Sequence, residues 1–520
     1  MPANTLDNKY CAYINGEWIK GSRELPSINP ADRRDTVGVF AEAGKEQIRA
    51  AADAARAAMK KWANTPAPVR AGIIQNFGKL VEQNKLAWSK VLTREIGKPL
   101  KESLGEVQEV IDTCNFFVSE GRRLYGQTVP SEMPNKELFT YRRPIGVFGC
   151  MTACNFPAAV PAWYFVPALV AGNTCVWKPS EDAMATAYYY AELMDKAGFP
   201  KGVFNVIFGA GPTTGAAMVE LIEEGKFDKI GFTGSTEVGR RIGEMCGRAL
   251  QTPCLELGGK NPLIVAEDAN LDLALDGVIF SGFGTAGQRC TSLGNLIIHH
   301  KVYDQFVSRL IERTQSLKIG NPLNDKNIYG PLISERFLKN HLNHLETLVE
   351  KHHELPMGKG GHIGHGVQWD HFDGDGANGF YARPNFVLNV GMKDRIYSTE
   401  TFGPLFNVLK YHDADEAMAM ANNHGYGLSS AIYSNSPQMI YKFKTEITAG
   451  MSSINNSTTG AEAHLPFGGN GKSGNGGRQS GIWVIDQFTK WHAVNWDMSG
   501  KLQLAQMDTE YVEPNLDFRI

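Results

Sequence analysis

Residues 145–181 read IGVFGCMTACNFPAAVPAWYFVPALVAGNTCVWKPSE, and this stretch decides the fold class. Two short apolar runs, Ile145 to Met151 and Asn173 to Trp177, flank an apolar segment of helix length. Strand, buried helix and strand in that order make a βαβ unit with parallel strands. The run from Phe156 to Trp177 is not read as a membrane span, because Pro157, Pro161, Pro167, Gly172 and Asn173 break it.

Working outward, the same alternation continues. Further strands are expected at Val203 to Phe208, Lys229 to Phe232 and Pro262 to Val265, each after a helix-length segment. Beyond Cys290 it resumes with strands at Leu296 to His299, Phe406 to Tyr411, Leu428 to Tyr433 and Gly450 to Ile454, between helices such as Val302 to Leu317 and Ala414 to Asn422. The economical reading is two doubly wound α/β domains meeting near residue 258. Upstream, Glu46 to about Glu120 is helical in pattern, with an alanine-rich stretch from Ile48 to Ala63 and amphipathic segments at Ile73 to Ile96 and Leu104 to Phe117. Lys136 to Arg143 and Lys490 to Trp496 alternate like strands and pair as a projecting β-arm, which implies an oligomer. The stretch His341 to His371 holds seven of the 13 histidines, matches no structural zinc spacing and reads as a solvated loop, so no metal is assigned.

At 520 residues the chain exceeds one compact core, and two or three domains can enclose a cleft. A net charge of −3, from 52 basic against 55 acidic residues, excludes a polyanion-binding surface and with it a nucleic-acid partner. Met1 to Asn8 is polar and shows neither signal peptide nor anchor, so a cytoplasmic protein without a membrane partner is expected. The eight cysteines form no C-x-x-C pair, which fits free thiols in a reducing compartment.

Five segments carry chemistry. In Gly287-Gln288-Arg289-Cys290-Thr291 the cation beside Cys290 and a nearby helix end favour a thiolate nucleophile. In Leu255-Glu256-Leu257-Gly258-Gly259-Lys260-Asn261-Pro262 a carboxylate among apolar residues suits a general base. In Cys154-Asn155-Phe156-Pro157, beyond a strand's carboxyl end, Asn155 is placed to donate to an oxyanion. Lys178 and Glu181 at the next strand end can bind the two ribose hydroxyls of an adenosine. Finally, Gly234 and Ser235 in Phe232-Thr233-Gly234-Ser235-Thr236 open a helix whose free N–H groups can receive a pyrophosphate, although no GxGxxG fingerprint is present. Taken singly, each also fits a plain structural role: a core cysteine, a glutamate in a strand-end turn, an asparagine in a turn.

Together and in this order, the five segments resemble the aldehyde dehydrogenase superfamily over essentially the whole chain. The Glu256 to Cys290 separation of 34 fits, as do Glu400-Thr401-Phe402-Gly403-Pro404 and Pro466-Phe467-Gly468-Gly469. The resemblance implies Cys290 as nucleophile, Glu256 as general base and Asn155 with the Cys290 N–H as the oxyanion hole. Lys178, Glu181, Gly234, Ser235, Glu400 and Phe402 would hold NAD, which Glu181 favours over NADP. It further implies a Rossmann-like NAD-binding domain over 1–127 and 147–258, a catalytic domain over 259–475, and an oligomerisation arm with C-terminal tail over 128–146 and 476–520, building a homodimer or homotetramer. Two departures are Cys154, where the family has Trp, and His352 to Asn378, which looks like an insertion.

Narrower likeness to the antiquitin branch, which oxidises aminoadipate semialdehyde, lies in Gly105-Glu106-Val107-Gln108-Glu109, in Gly284 to Cys290 and in Thr459-Gly460-Ala461-Glu462; Lys260 and Pro179-Ser180-Glu181 follow the general pattern instead. In that branch Glu109 and Arg289 would face the substrate's amino-acid end, and the Gly460 and Ala461 N–H groups its carboxylate. An apolar lining from Phe156, Val160, Trp163 and Phe467 also suits aliphatic or aromatic aldehydes, and the preferred reading is this one, with Glu109 on a solvated helix face and Arg289 only lowering the Cys290 pKa. The expected reaction is thiohemiacetal formation, hydride transfer to NAD and hydrolysis of the Cys290 thioester. A CoA-acylating enzyme, which often lacks the base, is the rival.

Overall fold

The computed structural model describes residues 6–7, 9–508 and 513–520; of the polar start from Met1 to Asn8, only Leu6 and Asp7 fall within them. The first sheet has seven strands in the order Cys254–Glu256, Lys229–Thr233, Val147–Met151, Thr174–Lys178, Phe204–Ile207, Tyr10–Ile14, Glu17–Lys20. The first five run parallel, and the last two join as a hairpin whose Tyr10–Ile14 pairs antiparallel with Phe204–Ile207. Val147–Met151 and Thr174–Lys178 are buried along their whole length, as strands covered by helices on both faces must be. Between them Ala159–Ala171 is a helix with every residue buried, closed by Gly172 in the left-handed region at φ 98. Successive connections run outward from Val147–Met151 to Phe204–Ile207, and the chain then crosses back to lay down Lys229–Thr233 on the other side. A crevice therefore opens beyond the carboxyl ends of Val147–Met151 and Lys229–Thr233.

The chain leaves this sheet at Glu256 and enters a second at Asn261. Six parallel strands follow in the order Asn385–Val387, Leu405–Tyr411, Leu293–His299, Asn261–Val265, Ala431–Tyr433, Ser453–Ile454. Ala431–Tyr433 and Ser453–Ile454 are shorter than the expected Leu428 to Tyr433 and Gly450 to Ile454. Side chains take the place of part of the ladder there: the Ser429 N–H donates to Asn261 Oδ1 at 2.9 Å, and the Ser429 hydroxyl donates to the Thr458 carbonyl.

Three helices, Lys45–Asn64, Ala67–Ile96 and Leu100–Glu120, pack beside the first sheet, the last two starting just after Pro66 and Pro99. The arm is present: Lys136–Pro144 pairs antiparallel with Thr489–Asp497 along its full length, with Thr128–Val129 as a third strand. The reading of His341 to His371 as a solvated loop is corrected at its start. His341 and His344 sit on the helix Glu335–Thr347, and His341 is fully buried because its apolar neighbours leave the ring no route to water. Farther along, the Glu350 N–H donates to His353 Nδ1 at 2.9 Å, which leaves Nε2–H to donate to Asp394 at 3.0 Å. Among the described residues no helix is long and apolar enough to cross a membrane.

Candidate active site

One cavity of about 1440 Å³ lies between the two sheets, and every site residue named above lines it except Glu256. Its centre is the turn that presents Cys290. After the helix Leu271–Phe283, Thr285, Ala286 and Gly287 wind left-handed at φ 52, 55 and 68. A β-branched residue in that region is strained by about 1–3 kcal/mol. Glu102 holds it there: its carboxylate accepts from the Thr285 N–H at 3.1 Å, from the Thr285 hydroxyl and from the Arg289 guanidinium at 2.7 Å. Asn261 secures the far side, its amide donating to the Cys290 and Ser292 carbonyls at 2.8 and 2.7 Å. Asn261 belongs to the quoted glutamate motif, yet its role as a brace was not legible there.

The electrostatics at Cys290 correct the expected low-pKa thiol. Burial first, and then the Glu256 and Glu400 carboxyls, push it up to about 12, against the Thr291 and Cys290 backbone N–H groups. Arg289 does not offset this, because its charge is committed to Glu102. Asn155 is buried in the loop after Val147–Met151, and its Nδ2 donates to the Gln288 carbonyl at 2.9 Å, two residues before Cys290. A loop of the first sheet and a turn of the second thereby bring an amide donor and a thiol to the wall of one cavity.

Glu256, 5% exposed, ends the strand Cys254–Glu256, and burial pushes its carboxyl well above the usual range. The Arg478 charge and the Gly469 N–H offset this only in part. The side chain turns toward Gly468, where a Cβ would lie 2.8 Å from Oε1. It does not line the cavity wall.

Along one limb of the cavity, Lys178 Nζ lies 3.8 Å from Glu181 Oε2, and burial lowers the ammonium's pKa. Ser235 caps the helix Thr236–Arg248, its hydroxyl accepting from the Val238 N–H at 3.4 Å. Glu400 accepts from the Gly259 N–H at 2.9 Å, and burial raises it to about 7 despite that bond and nearby Lys260. Phe402, left-handed at φ 41, packs near Phe337 with ring centres 5.7 Å apart. Arg336, Phe337, Asn340 and His344 all reach this limb from the helix Glu335–Thr347. The sequence reading missed them because their alternation with charged residues resembles a solvated helix face.

In the other limb, the Trp163 and Phe467 rings lie 4.6 Å apart, and Arg289 stacks 4.7 Å above Phe280. Burial, then the neighbouring Glu106 carboxylate, raises Glu109 to about 8, and its Oε1 has no partner among the described residues. Phe156, Gly460 and Ala461 complete this wall.

The family model described as "Aldehyde dehydrogenase family" matches residues 18–494. The chain is 38% identical over 462 residues to an alpha-ketoglutarate semialdehyde dehydrogenase of Haloferax volcanii, covering 88% of this chain and 92% of the relative. It is 34% identical to a succinate-semialdehyde dehydrogenase of Escherichia coli named for NADP(+), covering 92% and 95%. Among solved structures, a betaine aldehyde dehydrogenase from Staphylococcus aureus in complex with NAD+ superposes with a TM-score of 0.89 at 28% identity, covering 94% of this chain and 95% of that one.

Proposed function

The chain belongs to the aldehyde dehydrogenase family and oxidises an aldehyde to a carboxylic acid with a nicotinamide dinucleotide, and on that premise we propose that Cys290 is its nucleophile, Asn155 its oxyanion donor and Glu256 its general base. The observation that carries this reading is the Asn155 amide held against the nucleophile turn at 2.9 Å, across the seam between the two sheets. The Cys290 sulfur attacks the aldehyde carbon, and the new oxyanion takes hydrogen bonds from Asn155 and the Cys290 N–H. In its ionised form a carboxyl with a raised pKa is a stronger base than an ordinary carboxylate, so Glu256 suits deprotonation of the thiol and later of the water that hydrolyses the thioester. To do so its side chain turns from its place against Gly468, which has to be glycine because a Cβ there would meet Glu256 Oε1 at 2.8 Å and the Gly477 carbonyl oxygen at 2.5 Å. The presence of this base favours hydrolysis over acyl transfer to CoA.

The residues fit a dinucleotide. Lys178 and Glu181 offer a donor and an acceptor to a ribose diol, the turn at Gly234 and Ser235 offers a helix N-terminus to the pyrophosphate, and Glu400 with Phe402 flanks the nicotinamide half. When bound, the nicotinamide supplies the hydride acceptor. We assign NAD over NADP, because a 2′-phosphate beside Glu181 meets a like charge.

The substrate we propose is a short semialdehyde ending in a carboxylate. Two of the relatives are named for such semialdehydes, and the Gly460 and Ala461 N–H groups in the cavity wall offer anion contacts. Glu109, at about 8, is mostly protonated at neutral pH. It is thus a hydrogen-bond donor to an oxoacid more than an anion for the ammonium of aminoadipate semialdehyde. Reduced-cofactor formation should be followed with alpha-ketoglutarate, succinate and aminoadipate semialdehydes, hexanal and benzaldehyde, with NAD or NADP, with and without CoA. The highest kcat/KM for a carboxylate-bearing semialdehyde with NAD, independent of CoA, is expected; equal turnover of hexanal removes the substrate assignment.

We also take 1–127 with 147–258 as the dinucleotide domain, 259–475 as the catalytic domain, and the arm as the seam of a homodimer or homotetramer. Exposed Tyr141, Trp491 and Trp496 on the arm support that last point. Eight free cysteines are consistent with the reducing cytoplasm.

A further inference from the structure

The oxyanion site joins a loop of the first sheet, carrying Asn155, to a turn of the second, carrying Cys290. Some element outside both has to fix their separation. The helix Leu100–Glu120 touches both through two carboxylates one turn apart. Glu102 grips the left-handed turn before Cys290, as described above. Glu106, with a fully buried side chain, accepts from the Ala158 and Ala159 N–H groups at 2.7 and 3.2 Å. These N–H groups open the helix Ala159–Ala171, whose own N-cap residue, Ala158, has no side-chain acceptor.

The cap is costly by design. Its charge is balanced by Lys98, also fully buried, whose ammonium donates to Glu106 at 2.5 Å and lies 3.8 Å from the centre of the Phe156 ring. Burying an ion pair costs more desolvation than a local Ser or Asp cap would. A local cap is absent because the N-cap residue, Ala158, carries no acceptor, and the nearest polar side chain upstream, Asn155, donates to the Gln288 carbonyl instead.

We propose that Glu106, backed by Lys98 and acting with Glu102 on the same helix, is a positioning residue for catalysis. It anchors the backbone three residues past Asn155, so that the Asn155 amide stays at the distance from Cys290 that the oxyanion requires. This rests on the reading of Asn155 as the oxyanion donor. A displacement of about 1 Å in such a group is enough to cost activity on the order of 100-fold.

The test is a double-mutant cycle on kcat/KM for the aldehyde, with Glu106→Gln, Asn155→Ala and the pair, and with dinucleotide affinity measured by fluorescence titration. Glu106→Gln keeps an acceptor for the N–H groups and removes the charge. Asn155→Ala alone is expected to lose roughly 100-fold. Glu106→Gln alone should lose roughly 10-fold, less than about 2-fold in the Asn155→Ala background, with dinucleotide affinity unchanged. Equal losses in both backgrounds, with Asn155→Ala damaging, overturn the proposal and leave Asn155 in its role. An undamaged Asn155→Ala enzyme overturns the oxyanion reading and the proposal with it. Should Glu106→Gln not fold, the combined Lys98→Met, Glu106→Gln variant, which removes both charges, is read the same way. Failure of that variant to fold as well assigns the pair to stability alone and overturns the proposal.

Discussion

Replacing Gly258 by alanine tests the cofactor limb without touching a catalytic group. An added Cβ would sit 1.9 Å from Glu400 Oε2 and 2.6 Å from its carboxyl carbon, with no other contact as close. Because the obstructing atoms are the end of a side chain, Glu400 moves and the backbone stays. Gly258 is not in the left-handed region, so the new residue adds no strain of its own. The movement breaks the 2.9 Å bond from the Gly259 N–H, a charge-assisted bond when Glu400 is ionised, worth about 1.5–3 kcal/mol. If that energy holds Glu400 on the nicotinamide half, kcat/KM for the dinucleotide falls by about 10- to 150-fold. The assay is initial-rate kinetics at varied NAD with saturating aldehyde, alongside a thermal melt. A lower kcat/KM for NAD with a Tm within a few degrees of wild type is expected. An unchanged kcat/KM would refute the reasoning, since the methyl cannot enter without displacing Glu400.

Three further outcomes follow from the site. Cys290→Ala should abolish aldehyde oxidation while leaving dinucleotide affinity intact, measured by turnover and titration; retained turnover above a few per cent of wild type would point to another nucleophile. Glu256→Gln should slow thioester hydrolysis more than hydride transfer, seen as a stopped-flow burst of reduced cofactor followed by a slow phase; a uniform fall in both phases would mark a structural role. Glu109 is raised from 4.5 to about 8, so its contribution to stability is fully present below about pH 4.5 and is lost as pH rises through 8. Glu109→Gln should therefore raise Tm over wild type by more at pH 8 than at pH 5, with up to ~5 kcal/mol available from a shift of that size; an equal difference at both pH values contradicts the burial argument.

Sequence pattern revealed most where chemistry is local. The parallel strands, the buried helix between Asn155 and Asn173 and the two arm strands were each legible from runs and alternation, because sheet faces impose a period on their own residues. The amino-terminal hairpin went unread although Asn15 and Gly16 form a two-residue turn at φ 53 and 82, a signal present in the sequence. Long-range charge was not legible. Arg289 adjoins Cys290 along the chain but pairs with Glu102, 187 residues away, so the thiol loses the cation that proximity suggested. For the same reason Glu106 looked like one charge on an amphipathic helix, when its partners are the N–H groups of a helix some 50 residues farther on. Only folding decides which of several nearby carboxylates meets which cation.

The arm also dictates an order of assembly on the ribosome. Its first strand ends at Pro144 and its partner begins at Thr489, an interval of 345 residues. At a synthesis rate of about 5–20 residues per second, the early strand waits roughly 20–70 seconds for its mate. During that time it presents an open edge to every other nascent chain. Lys136, Glu137, Arg142 and Arg143 on that strand are the charges that keep a waiting edge from pairing wrongly. Any subunit contact built on the arm is thus withheld until translation is nearly finished, while the first sheet is complete once Cys254–Glu256 emerges.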